Sequence, residues 1–184
     1  MRFLAKTIQF RKVLRMKFYV LPYTFARQHI PQEPTLAIRI FDPSCQSAEG
    51  NNSRQTLQAS QCWIKELHYT FADYDPYRYI GFSLDVQEGI QKEYQNTAIN
   101  PRIAEMILRD FVAHEGKISA VMIHCNAGLS RSPAVALALC HRFNLQPEWV
   151  GVRDYYMKTA VENMAAGETA PNTLVYAMLM EAII

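Results

Sequence analysis

The stretch Ile118-Ser119-Ala120-Val121-Met122-Ile123-His124-Cys125-Asn126-Ala127-Gly128-Leu129-Ser130-Arg131-Ser132-Pro133-Ala134-Val135-Ala136-Leu137-Ala138-Leu139-Cys140 decides the fold. Its opening, Ile118 to Ile123, is a short and mostly apolar run, the pattern of a strand buried on both faces. From Pro133 onward it is apolar all round, as a central buried helix is. The nine residues between, His124 to Ser132, complete a strand, tight loop and helix start. In such a unit successive backbone N–H groups and the positive end of the helix dipole face one point, which suits an anion. Gly128 lets the backbone curl around that point, and Arg131 offers a planar fork for two phosphate oxygens. A thiol at a helix N-terminus beside a cation is ionised at neutral pH, so at Cys125 nucleophile and anion cradle coincide.

Upstream, Leu36, Ile38 and Ile40 alternate between Thr35 and Phe41, and Asp42-Pro43 closes what reads as a strand. Alternation returns at Leu67, Tyr69 and Phe71 with His68 and Thr70 between, a second strand running into Asp73-Tyr74-Asp75-Pro76. Pro76 disfavours helix at Asp75, which places both acids in a loop at a strand's end. The polar stretch from Pro43 to Cys62 predicts a long surface loop. Asn100-Pro101 is a helix start, the apolar stripe Ile103, Met106, Ile107 and Phe111 follows, and Gly116 is placed to stop it. Two further helices are predicted, about Pro147 to Met164 and Asn172 to Ala182. Helices interleave with strands, so the class is α/β, a central mostly parallel sheet flanked by helices.

The chain has 184 residues, 49% of them hydrophobic and 20% charged, which suits one globular domain and excludes disordered, collagenous and coiled-coil classes. Cys45, Cys62, Cys125 and Cys140 form no CxxC pair and no Cys/His cluster, so no metal or other cofactor is expected. No apolar run is long enough to span a membrane, and Arg11, Lys12 and Arg15 interrupt any signal-peptide core. A reduced, cytoplasmic protein is expected, in which the Asn51-Asn52-Ser53 sequon has no meaning. Residues 1–32 hold seven Lys/Arg and no acid, leaving 12 bases against 17 acids in the remainder. The acidic body argues against a nucleic-acid partner. Residues 1–18 read as a separate basic segment ahead of a domain spanning 19–184, a mobile tail or a translation start placed upstream of Met16 in preference to an organelle transit sequence.

The run His124-Cys125, five residues, then Arg131-Ser132, with Asn126-Ala127-Gly128-Leu129-Ser130 inside it, resembles the signature loop of the cysteine-dependent protein phosphatases, specifically the dual-specificity group. The resemblance takes in the preceding strand, the helix after the loop, and Ala170-Pro171-Asn172, similar to a Pro-Asn pair those phosphatases carry. More weakly it reaches Phe71-Ala72-Asp73, so that residues 35–182 are covered in outline. It implies a phosphotyrosine-phosphatase-like fold and metal-independent hydrolysis of phosphotyrosine, and of phosphoserine or phosphothreonine, in a phosphoprotein partner. By that resemblance Cys125 attacks phosphorus, Arg131 binds the equatorial oxygens, and the amides of Asn126, Ala127, Gly128, Leu129 and Ser130 stabilise the developing charge. Ser132 hydrogen-bonds the sulfur, His124 orients the loop and bears on the thiol's ionisation, and Asn172 caps a helix while supporting the loop.

The resemblance also implies a carboxylic acid that protonates the leaving group, and here the sequence departs from the pattern. In the family the acid tends to lie nearer the cysteine than Asp73 and Asp75 do, at 52 and 50 residues before Cys125. Asp85, 40 residues before, fits the spacing better but does not directly follow a strand. Asp73 is preferred because Thr70-Phe71-Ala72-Asp73 looks like the family's strand-then-acid junction, with Ile80 to Ala98 as an insertion; Asp75 follows closely. Tyr69, Tyr74, Tyr77 and Tyr79 either wall a phosphotyrosine cleft or pack an aromatic strand end on the core. The neutral residues inside the loop argue against a phosphoinositide or RNA 5′-phosphate as substrate, since relatives handling such groups carry extra cations there. A phosphoprotein-binding module without turnover would be expected to have lost Cys125 or Arg131, and a rhodanese-like sulfur transferase to lack the Ser-Arg-Ser ending.

Overall fold

A computed structural model describes residues 14–46, 56–151, 153–165 and 171–184. Five strands, β1 (Leu14–Pro22), β2 (Thr35–Phe41), β3 (Trp63–Thr70), β4 (Ala120–Cys125) and β5 (Leu145–Val150), form one sheet in the order β3-β2-β4-β1-β5. Every pairing in it is parallel. Around it run α1 (Tyr23–Ala26), α2 (Leu84–Tyr94), α3 (Pro101–His114), α4 (Arg131–Phe143), α5 (Asp154–Ala165) and α6 (Thr173–Glu181). The α/β class expected from the interleaved pattern is what the chain adopts.

The two-residue period of the strands sorts side chains to two sides. Phe18 and Val20, Leu36, Ile38 and Ile40, and Val121 and Ile123 enter the large core, where Ile107, Phe111 and Leu137 from α3 and α4 meet Val175 and Leu179 from α6. Leu21, Ala37 and Met122 join Ala26 and Leu57 in a smaller cluster on the other side. β4 lies between β1 and β2, pairing Pro22 with Cys125 and Arg39 with His124. β2 leads outward to β3, whereas β4 leads across β1 to β5. Connections therefore leave the carboxyl ends of β2 and β4 in opposite directions, the place where open parallel sheets hold ligands.

Two expectations are corrected. The segment 1–18 does not end at the domain's edge: Leu14 to Phe18 are strand, and buried Phe18 packs on Trp149 with ring centroids 5.4 Å apart. Its basic residues hid the strand, because Arg15, Lys17 and Tyr19 alternate with buried Met16, Phe18 and Val20. The helix expected from Pro147 begins instead at Asp154, and Leu145–Val150 is a strand. Pro147 is tolerated there because β5 is the last strand of the sheet. The stretch from Ile80 to Ala98, expected as an insertion, contains α2, which buries no residue and returns through the bond from Ala72 N–H to Thr97 O (2.7 Å).

Within the expected loop from Pro43 to Cys62, Pro43–Gln46 forms a 3₁₀ turn, while the sequon 51–53 lies outside the described residues, as do residues 1–13 and Ala170. Asn100 caps α3 through its side chain, and α3 stops at His114, just before Gly116. Among the described residues no helix is long and apolar enough to cross a membrane.

Candidate active site

β4 delivers His124 and Cys125 to its carboxyl end, and α4 begins at Arg131, so residues 126–130 turn the chain between them. Gly128 is required at this turn. Its φ is +70°, and a Cβ there would stand 2.7 Å from Pro22 N and 2.8 Å from Leu21 C, main-chain atoms of β1 that cannot move aside. The loop's carbonyls are held from outside. Tyr23 N–H donates to Asn126 O (3.0 Å), Arg153 Nη2 to Ala127 O (3.1 Å) and the Tyr156 hydroxyl to Leu129 O (2.8 Å). Because C=O and N–H point oppositely across a trans peptide, these bonds turn the amides of Ala127, Gly128 and Ser130 the other way, the arrangement of an anion nest.

Cys125 is buried, with Sγ 3.2 Å from Ser132 Oγ. It lines a small pocket with Tyr23, Ile40, Phe41, Asp42, His124 and Asn126. The Arg131 side chain is also buried, with Nη1 donating to Phe71 O (2.7 Å) and standing 3.6 Å from Asp42 Oδ2. Its Nε has no hydrogen-bond partner among the described residues. An unpartnered buried guanidinium nitrogen is costly unless an acceptor arrives.

The three candidate acids separate by position. Asp73 reaches the loop: its Oδ1 accepts from the Ser130 hydroxyl and from Asn172 Nδ2 (2.8 Å). Asp75 is buried away from it, accepting from Tyr77 N–H (3.2 Å) and Thr173 N–H (2.8 Å), and so caps both a 3₁₀ turn and α6. Asp85 lies exposed in the first turn of α2. Asn172 combines two tasks, capping α6 at Val175 N–H (3.0 Å) while its Nδ2 also approaches Tyr74 O (3.3 Å) and Ser130 Oγ (3.4 Å).

No protein-family model matches this chain, and comparison with curated proteins and with solved structures finds no match either.

His124 carries a constraint that the sequence did not reveal. Arg39, wholly buried in β2, donates from Nε to His124 Nε2 (3.0 Å) and from Nη1 to Glu66 Oε2 (3.0 Å), with its guanidinium carbon 5.2 Å from the Phe41 ring centroid. A guanidinium only donates, so Nε2 is the acceptor and the imidazole proton sits on Nδ1. Burial, reinforced by the Arg39 charge, pushes the His124 pKa down to about 3, so the ring is neutral. His124 is therefore fixed by Arg39 and lends the loop no charge, while its Nδ1 is buried without a hydrogen-bond partner among the described residues.

Besides Tyr23 and Tyr156, four residues near the loop were missed. Asp42 follows β2 at the sheet's carboxyl edge, where a carboxylate is itself a signal, and its Oδ1 is fixed by Ser44 N–H (3.1 Å) and Ser44 Oγ (2.8 Å). Arg39 announces itself only as a charge within an apolar strand. Arg78 and Arg153 carry no local signal at all. The tyrosines divide: Tyr69 is core and donates to Asp110 Oδ2 (2.6 Å), whereas Tyr74, next to Asp73 in the chain, stacks with Tyr79 (6.2 Å) and with Tyr94 (5.4 Å). Cys140 is buried in α4, where burial pushes its thiol pKa up. Among the described residues no group of three or more His, Cys, Asp or Glu is placed to hold a metal ion.

Proposed function

We propose that this chain is a cysteine-dependent phosphatase that hydrolyses phosphomonoesters in proteins through a phosphocysteine intermediate, resembling the dual-specificity group. The observation that carries the reading is long-range: Asp73, on a loop after β3, is hydrogen-bonded to Ser130 inside the loop that holds Cys125. A carboxyl group, a thiol and a nest of amides meet there, as transfer of a phosphoryl group to sulfur requires.

The Cys125 thiolate attacks phosphorus while the bond to the ester oxygen breaks. Asp73 gives its proton to that oxygen, and the alcohol or phenol leaves. Arg131 and the loop amides hold the equatorial oxygens, where charge accumulates. Water then attacks phosphorus, the S–P bond breaks, and Asp73 takes the proton as inorganic phosphate forms. The Ser132 hydroxyl donates to sulfur as its negative charge returns. A cytoplasmic location belongs to the same reading, because a reducing compartment protects a nucleophilic thiol from oxidation.

The test is hydrolysis of p-nitrophenyl phosphate with chelator present. The expected result is turnover that is blocked by vanadate and abolished in Cys125→Ser. Undiminished turnover in that variant overturns the mechanism.

A further inference from the structure

Of fifteen large apolar side chains that stand exposed among the described residues, five fall within ten consecutive positions: Tyr77, Ile80, Phe82, Leu84 and Val86. Single exposed apolar side chains are ordinary, whereas a run of them marks a surface that something covers. α2, which takes up the end of this run, buries no residue. The segment is nonetheless held in place. Gln87 Nε2 donates to Phe82 O (2.7 Å) and to Ile80 O (3.4 Å), which closes the turn ahead of α2. Phe82 meets the Tyr79 ring edge-on at 6.0 Å, Tyr79 stacks with Tyr74 at 6.2 Å, and Tyr74 stacks with Tyr94 of α2 at 5.4 Å. Polar bonds and ring contacts thus preorganise an apolar surface that the core does not use.

Its place beside the site is fixed as well. Arg78, in the 3₁₀ turn Pro76–Tyr79, donates from Nη2 to Ser130 Oγ (2.6 Å) in the Cys125 loop and to Pro171 O (3.1 Å) ahead of α6. Tyr74, the centre of the ring stack, adjoins Asp73 in the chain. In the reaction described above, the leaving oxygen lies opposite the sulfur and takes its proton from Asp73. The body of the leaving group therefore extends over the Asp73 loop, and the chain that continues from that loop is the exposed run.

We propose that the run from Tyr77 to Val86 is the surface on which the substrate polypeptide rests, and that the preferred substrate carries a large apolar side chain within a few residues of the phosphorylated one. This rests on the phosphatase reading above and adds the substrate feature which that reading leaves open. Charge narrows the occupant. α2 carries Asp85, Glu88 and Glu93 against Lys92, and Arg78 is engaged by Ser130 and Pro171. An anionic lipid surface meets like charge there. A second copy of this chain, paired about a twofold axis through the run, sets Asp85 and Glu88 against themselves. A neutral apolar side chain on a polypeptide meets neither obstacle and covers apolar area that water otherwise wets.

The experiment compares kcat/KM for p-nitrophenyl phosphate, a phosphotyrosine peptide with glycine and serine neighbours, and the same peptide with leucine placed in turn at each nearby position. At one position or more, leucine is expected to raise kcat/KM about tenfold, through KM and with little response to salt, as burial of one apolar side chain does. Ile80→Ser and Leu84→Ser, at positions 65% and 76% exposed, are expected to remove most of that gain and to leave the ratio of the plain peptide to p-nitrophenyl phosphate where it was. Thermal melting checks the folding of both variants. Leucine without effect at every position overturns the docking surface. So does a loss in proportion on all three substrates in both variants, which would make the segment a prop for Asp73 alone. A dimer in sedimentation equilibrium that both variants dissolve gives the run to a second copy and overturns the proposal. Binding to phosphatidylserine vesicles that both variants abolish overturns it in favour of a membrane. Failure of the unmodified protein to hydrolyse p-nitrophenyl phosphate is a separate outcome, which removes the phosphatase reading and this proposal with it.

Discussion

Asp73 and Asp75 share a loop and lie only two residues apart, and their partners tell them apart. Asp73→Asn is expected to lower kcat on an alkyl phosphate by about 10²–10⁴, the usual contribution of a general acid, and to matter less for p-nitrophenyl phosphate, whose leaving group needs little protonation. Asp75→Asn weakens the acceptor of two main-chain N–H groups and is expected to cost about 1–2 kcal/mol of stability, read by denaturant melts, with the reaction itself little altered. A larger loss of alkyl phosphate turnover in Asp75→Asn than in Asp73→Asn would reverse the assignment. His124 makes a pH prediction. Its folded pKa of about 3 lies below the ordinary histidine value near 6.5, so between those values the unfolded chain binds a proton that the folded one does not. The associated stability is complete above about pH 6.5 and is lost as pH falls toward 3. Between pH 7 and 5 the protein should lose about 2 kcal/mol more than His124→Gln does. His29, whose pKa burial also lowers, is common to both and cancels in the comparison. Equal losses would mean that the ring is charged when folded. None of this was readable from His124 in the sequence, because its donor, Arg39, comes from a different strand.

Among the elements, α4 was the most legible, since an unbroken apolar run after a glycine loop leaves few alternatives, yet its start at Arg131 lies two residues before the expected Pro133. That difference matters, because it puts Arg131 in the first turn and Ser132 within reach of the sulfur. Leu137→Ala, at a fully buried position in α4, should destabilise the fold by about 2–5 kcal/mol with KM nearly unchanged. Gly128→Ala acts on a different quantity. Its methyl group meets the backbone of β1, and an outward shift of the loop by a fraction of an ångström to an ångström is expected to lower kcat/KM about 10²-fold. Full activity in Gly128→Ala would show that the loop does not rest on β1. The misread helix from Pro147 has a physical cause: six residues with one proline lack the alternation that marks a half-buried strand, and β5 is defined by its pairing with β1 rather than by its own pattern.

For the molecule as a whole, the class was legible because α/β interleaving is a local property repeated along the chain, while the sheet order was not, because it depends on which distant strands meet. The N-terminal boundary shows the difference. A chain beginning at Tyr19 would lose Met16 and Phe18 from the core, two of the six paired positions between β1 and β4 and five of the six between β1 and β5, and is expected to be unfolded by circular dichroism. A folded, active truncation of this kind would overturn the placement of β1. The same placement shapes how the protein is born. Lys17 pairs with Ala120 and Leu14 with Leu145, so during synthesis the first strand emerges roughly 100 residues before its neighbours do. At about 5–20 residues per second it waits some 5–20 seconds with its apolar face uncovered, a window in which a chaperone would find it and crowded nascent chains would stick.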